Sequence, residues 1–93
     1  MIKFFRDKET EKIFNRHLSE KIPSDIQHQA RRELIMLDAA PEINVLRIPP
    51  GNRFEALKGD RKGQHSIRIN DQWRVCFKWK AEDAYDVEIT DYH

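Results

Sequence analysis

The chain has a single cysteine, Cys76, so it cannot build an internal disulfide framework, and a lone thiol fits a reducing cytosol. No stretch approaches the ~20 apolar residues that a bilayer-crossing helix requires, which argues against a membrane protein. Ile2–Phe5 is too short for a signal peptide, and Arg6, Asp7 and Lys8 follow at once. Repeats and low-complexity tracts are absent. So are HExxH, CxxC, GxGxxG and P-loop signatures, and His17, His28, His65 and His93 are scattered. One cysteine cannot build a zinc cage, so no metal or other cofactor is expected. Ser66 beside His65 is not a nucleophile–base pair, because neighbours on a strand point to opposite faces. Apolar residues are also scarce, at 39% of 93, while 35% are charged. The expectation is one small cytoplasmic domain over residues 1–93, with a modest core and much polar surface.

What the chain does have is charge sorted along its length. The net +1 conceals a basic middle: residues 47–80 hold nine Lys or Arg against three acids, whereas residues 81–93 hold five acids and no Lys or Arg. A concentrated cationic stretch is the footprint of a polyanion site.

Within that stretch, Trp73, Val75, Phe77 and Trp79 alternate with Arg74, Cys76 and Lys78, and Ile67 and Ile69 alternate with Ser66, Arg68 and Asn70. Period-2 alternation predicts two strands, each with one face toward a core. For both apolar sets to share a face, a three-residue turn of Asn70, Asp71 and Gln72 must pair Ile69 with Trp73 and Ile67 with Val75. Arg68 then lies opposite Arg74, an unfavourable pair that an anion between them would relieve.

The rest of the chain reads as follows. Ile2–Arg6 is a first strand, and Asp7 caps a helix over 8–19 with Thr10, Ile13, Phe14, His17 and Leu18 on one stripe. Ser24 and Gln27 form a capping-box pattern for a second helix that runs to about Ala40, where Pro41 stops it. Ile26, Ala30, Leu34 and Leu37 face inward, with Met36 at the margin, and the two helices form an antiparallel hairpin. Residues 41–52 form a loop, 53–57 a short strand, and Gly59 and Gly63 bracket a turn. Tyr85, Val87 and Ile89 mark a last strand. A five-residue connection, 80–84, sets Asp86 opposite Lys78 and Thr90 opposite Arg74, with Tyr92 one step beyond. The predicted fold is α+β: an N-terminal strand and helical hairpin packed on one face of a mainly antiparallel sheet. The other face is polar, cationic and open.

Lys58, Arg68, Arg74 and the terminal Asp91-Tyr92-His93 should gather on or around that face. Arginine offers a planar fork that matches phosphate, lysine a point charge, and histidine a group that titrates near neutrality. Such a set suits metal-free RNA cleavage, in which a 2′-hydroxyl attacks the adjacent phosphorus. Each residue also has a plainer reading. Arg74 and Lys58 can be solvated surface residues, His93 a terminal decoration, His65 a packed histidine, and Trp73 and Trp79 core residues. His17 and His28 fall at a helix margin. Of the other cations in the basic stretch, Arg53, Arg61, Lys62 and Arg68 are candidate RNA contacts.

The run PPGNRFEALKGDRKGQHSIRINDQWRVCFKW, the terminal VEITDYH, the MIKFF start and the LDAA helix end together resemble the HigB-type toxins of the RelE/ParE superfamily. The resemblance spans nearly the whole chain. It implies a microbial-RNase-like fold and a ribosome-dependent mRNA endonuclease that cuts in the ribosomal A site without a metal. It also implies a helix-turn-helix antitoxin of HigA type as partner, the 70S ribosome and mRNA as targets, and operator DNA reached only through the antitoxin complex. Carried onto matching positions, Lys58 and Arg74 would hold the scissile phosphate, and Asp91, Tyr92 and His93 would supply proton transfer and orientation. Some relatives carry histidine where Glu55 stands here, so Glu55 joins Asp91, Tyr92 and His93 as a candidate proton-transfer group, with none assigned as the base. Two rival readings share the fold: a ParE-like gyrase poison, and a non-catalytic module that docks on ribosomal RNA.

Overall fold

The computed structural model describes residues 1–91. Its elements are α1 (Lys8–Phe14), α2 (Ser24–Ala39), β1 (Glu55–Ala56), β2 (Gln64–Arg68), β3 (Trp73–Lys80) and β4 (Asp83–Asp91), with short 3-10 turns at Ile43–Arg47, Pro50–Asn52 and Gly59–Arg61. The four strands form an antiparallel sheet in the order β1-β2-β3-β4. The N-terminal segment lies along β4 in parallel, through bridges from Ile2 to Ala84 and Phe5 to Val87. It therefore acts as the predicted first strand, held by isolated bridges at the sheet's edge.

The helices cover one face of the sheet. Ile26, Ala30, Leu34 and Leu37 of α2 and Ile13 of α1 pack against Ile67, Val75, Phe77, Val87 and Ile89. Burying each large aliphatic side chain here is worth about 1.5–3 kcal/mol. Thr10 docks α1 on the sheet, its hydroxyl accepting a 2.9 Å bond from the Ile89 N–H. Trp73 and Trp79 pack at the core's margin, as their parity predicts. His65 is packed too, between Phe54 at 5.4 Å and Phe77 at 5.9 Å, with the Arg47 guanidinium 4.5 Å above Phe54. Burial, aided by Arg47, holds its imidazole pKa below the ordinary value.

Both helices depart from expectation at their ends. Asp7 caps α1 as predicted, accepting from the Thr10 N–H at 2.8 Å. The helix stops at Phe14 rather than 19, because Arg16 turns left-handed at φ 65°. The His17 N–H then bonds the Lys12 carbonyl at 2.7 Å, and the Arg16 N–H bonds that of Ile13 at 3.2 Å. This is a Schellman closure with arginine in the place glycine usually takes. The capping box of α2 does not form. Pro23 occupies the cap without a side-chain bond, and Gln27 is buried, donating to the carbonyls of Ser19 (2.8 Å) and Ile22 (2.7 Å). It clamps the preceding loop instead. The helix ends at Ala39, with Ala40 extended before Pro41 as that proline demands.

The sheet register matches the predicted one across β2 and β3, with Ile67 opposite Val75 and Arg68 opposite Arg74. Between β3 and β4 the connection is shorter than the five residues expected. Lys80 pairs with Asp83 around Ala81 and Glu82, both at positive φ (51° and 66°). A bulge at Asp86, φ 51°, then restores the parity, so that Thr90 still faces Arg74. Lys78 sits opposite Tyr85 instead of Asp86, but its ammonium reaches the Asp86 carboxylate at 3.3 Å.

Candidate active site

On the sheet face turned away from the helices, β2, β3 and β4 present rows set by the register: Arg68, Arg74 and Thr90 in one, Ser66, Cys76 and Glu88 in the next. Glu55 of β1 extends the second row, opposite Ser66. This face is less open than the sequence suggests, since Ser66 and Cys76 are buried and Arg74 is only 8% exposed.

Arg74 is fixed rather than waving in solvent. Its Nε donates to the Ser66 hydroxyl at 2.7 Å, and its Nη2 donates to the carbonyl of Arg53 and, at 3.4 Å, to that of Ser66. Arg53 supplies its carbonyl from a left-handed conformation, φ 43°. All these partners are neutral oxygens, and Nη1 has no partner among the described residues. A buried charge needs such bonds to be tolerated, and these leave its positive charge uncompensated.

The juxtaposed arginines resolve their conflict by turning apart. Arg74 takes the acceptors just described, whereas Arg68 pairs with Asp71 at 2.6 Å. The hydrogen bond and charge of Arg68, with a further contribution from Arg53, hold the Asp71 carboxyl below its usual pKa. Arg53, Arg68 and Arg74 thus gather at one end of the polar face. The turn itself is set by Asn70, whose side-chain oxygen accepts from the N–H groups of Gln72 (2.8 Å) and Trp73 (2.7 Å).

A second cationic group lies on the turn after β1. Lys58 and Lys62 are exposed, while Arg61 reaches across the sheet to Glu88 at 2.8 Å and to the Gln64 side-chain oxygen at 3.0 Å. Arg6 approaches the other Glu88 oxygen at 3.2 Å. Beneath them, burial pushes the Cys76 thiol up to about 11.

Of the candidate proton-transfer groups, Glu55 is exposed beside Ser66. Asp91 pairs with Trp73 and so belongs to the opposite parity from Arg74; its carboxylate accepts from the Gln72 amide at 2.9 Å at the sheet's rim. Tyr92 and His93 lie outside the described residues. Sequence reasoning overlooked Ser66 and Glu88. The register it proposed already placed Ser66 on the diagonal from Arg74, which was the available signal. Among the described residues, no three His, Cys, Asp or Glu side chains cluster as a metal site would require. No helix among them is long and apolar enough to cross a membrane. A cavity of about 410 Å³ lies elsewhere, between the helix ends, lined by Ile13, Leu18, His28 and Arg31 among others.

Residues 3–93 match the model of the RelE-like toxins of type II toxin–antitoxin system HigB. The chain is 47% identical over 76 residues to Toxin HigB-1 of Vibrio cholerae, covering 81% of this chain and 80% of that protein. It is 33% identical to Endoribonuclease HigB of Proteus vulgaris across the full length of both. Among solved structures, a YafQ mutant from E. coli superposes with a TM-score of 0.62 at 14% identity, covering 98% of this chain and 93% of that one. A chain of the YoeB-YefM complex from Staphylococcus aureus gives 0.61 at 15% identity, covering 100% of this chain and 98% of that one. These likenesses bear out the predicted RelE-type fold. The protein belongs to the HigB family of RelE-like toxins of type II toxin–antitoxin systems.

Proposed function

We propose that this toxin is a metal-free, ribosome-dependent mRNA endonuclease that cuts in the ribosomal A site and stops translation, with Arg74 as its phosphate ligand. The observation that carries this reading is the Arg74 guanidinium, locked on the polar face by neutral oxygens with Nη1 unengaged among the described residues. A cation aimed in advance stabilises charge that develops in a transition state without reorganising at that moment. The name of the Proteus vulgaris relative, an endoribonuclease, supports the same chemistry.

In the reaction, a ribose 2′-hydroxyl gives up its proton and its oxygen attacks the adjacent phosphorus. The bond to the 5′-oxygen breaks, leaving a cyclic phosphate and, after protonation, a 5′-hydroxyl. Arg74 and Lys58 hold the phosphoryl oxygens as negative charge accumulates. Glu55, Asp91, Tyr92 and His93 are the groups available for the two proton transfers. Arg53, Arg68 and Lys62 serve as contacts to neighbouring phosphates in this reading, with Arg68 also paired to Asp71, whereas Arg61 is drawn to Glu88. DNA, lacking the 2′-hydroxyl, is spared. The antitoxin is of the helix-turn-helix HigA type, operator DNA is met through its complex, and the site of action is the cytoplasm.

Primer extension on a reporter mRNA in a purified translation system tests this, with and without ribosomes. New 5′ ends should appear only with ribosomes, and Arg74→Ala should reduce their rate by roughly 10²–10³-fold, as loss of an oxyanion donor does elsewhere. No new ends under any condition would overturn the reading and direct attention to gyrase supercoiling or passive docking.

A further inference from the structure

We infer that Glu88 is a positioning residue for this reaction: through Arg61 it holds the turn that begins at Lys58 against the polar face. The inference rests on the endonuclease reading and adds to it a residue that contacts neither RNA nor the reacting atoms.

The turn follows Leu57, whose N–H bonds the Gln64 carbonyl at 2.9 Å, and beyond that anchor its residues lie at the surface. Gly59 and Gly63 adopt left-handed φ values of 64° and 94°, and a Cβ added at either would meet nothing within 4 Å. No residue of the Gly59–Arg61 segment is buried. Arg61 ties it to the sheet: its Nη1 donates to Glu88 Oε1 at 2.8 Å and to Gln64 Oε1 at 3.0 Å. The Arg61 N–H in turn bonds the Lys58 carbonyl at 3.3 Å, so fixing Arg61 fixes the backbone that presents Lys58.

Glu88 suits the task. It is only 9% exposed, on β4, on the sheet's polar face opposite Cys76. Its second oxygen takes Arg6 at 3.2 Å, immediately after the N-terminal edge segment. One carboxylate therefore joins the first segment, the last strand and the turn. Two arginines on one carboxylate give partly buried, charge-assisted bonds, stronger than an exposed pair. Arg61, one of the cations the sequence suggested for RNA, is thus committed to Glu88 and Gln64.

Cys76, the chain's one cysteine, reports on the turn, because it is buried on β3 directly opposite Glu88, so that its exposure follows whatever covers that pair. The test uses the full chain as wild type, Glu88→Gln, Arg61→Ala, Lys58→Ala and the Lys58→Ala/Glu88→Gln double variant. Single-turnover mRNA cleavage on saturating ribosomes is measured beside ribosome affinity, thermal midpoint and Cys76 labelling by a thiol reagent.

Glu88→Gln and Arg61→Ala should each slow cleavage about ten- to a hundredfold, the effect of small misplacement of a reacting group. Ribosome affinity should hold, and Cys76 should label faster under native conditions. In the Lys58→Ala background, Glu88→Gln should add less than about a further twofold, since residues acting through one another are not additive. A fully additive loss, or an unchanged labelling rate in both single variants, would overturn the inference. Tighter ribosome binding by Glu88→Gln would overturn it as well, because it would mean that Arg61 contacts RNA when released from Glu88. If wild type cleaves and Glu88→Gln cleaves as fast, this inference alone fails. If wild type makes no cut, the endonuclease reading fails and takes this one with it.

Discussion

Ser66 and Arg74 sit on a diagonal of the β2–β3 pair, and the hydroxyl at 2.7 Å from Nε sets the plane of the guanidinium. Removing that acceptor should leave the charge in place but loosen its aim. Ser66→Ala is expected to slow ribosome-dependent cleavage about tenfold, a smaller loss than that of Arg74→Ala, and to lower stability by about 1–3 kcal/mol for the buried donor left unsatisfied. Single-turnover kinetics and a urea titration check the two effects separately; unchanged kinetics would show that Ser66 does not orient Arg74. This geometry was half legible in the sequence. Alternation fixed Arg68 opposite Arg74, and the expected conflict between them was correct. The protein partners that each arginine takes were not legible, because those of Arg74 include the Arg53 carbonyl, supplied from a left-handed backbone that no residue type announces.

The same reason explains where the elements end. Apolar spacing identified both helices and the buried apolar residues of α2, because burial dictates that pattern directly. The C-terminus of α1 and the β3–β4 turn escaped notice, since Arg16, Ala81, Glu82 and Asp86 all take positive φ without being glycine or asparagine. Gln27 shows the converse: a capping-box pattern was present, but the backbone carbonyls of the buried Ser19 and Ile22 took the side chain instead. Arg16 also gives a test. A left-handed non-glycine residue costs roughly 1–2 kcal/mol, partly offset by the greater unfolded-state freedom of glycine. Arg16→Gly should therefore stabilise the protein by about 0.5–1 kcal/mol without altering cleavage. A lower melting temperature in this variant would contradict the Schellman closure.

Across the molecule, the charge sorted along the sequence is partly cancelled by folding. Acids of the last strand meet cations from elsewhere: Glu88 with Arg6 and Arg61, Asp86 with Lys78, Asp83 with the N-terminal ammonium. The basic middle was legible, but its neutralisation required the topology that lays β4 between β3 and the first segment. Global stability then carries a pH signature set by His65. Its folded pKa lies below the ordinary imidazole value, chiefly through burial. A histidine so depressed takes up its proton more readily in the unfolded chain, so its contribution is fully present above about pH 6.5 and lost as pH falls toward the folded pKa. Glu33, raised by burial above 4.5, acts in the opposite sense, losing stability as pH rises past that value. Comparison with a variant separates the two. His65→Phe keeps an aromatic ring between Phe54 and Phe77 and removes the proton site. Urea unfolding at pH 5.0 and 7.5 should show wild type losing more stability on acidification than His65→Phe. Equal losses in the two proteins would mean that the imidazole is not kept neutral by its packing, and that the acid sensitivity of the fold resides in its carboxylate pairs.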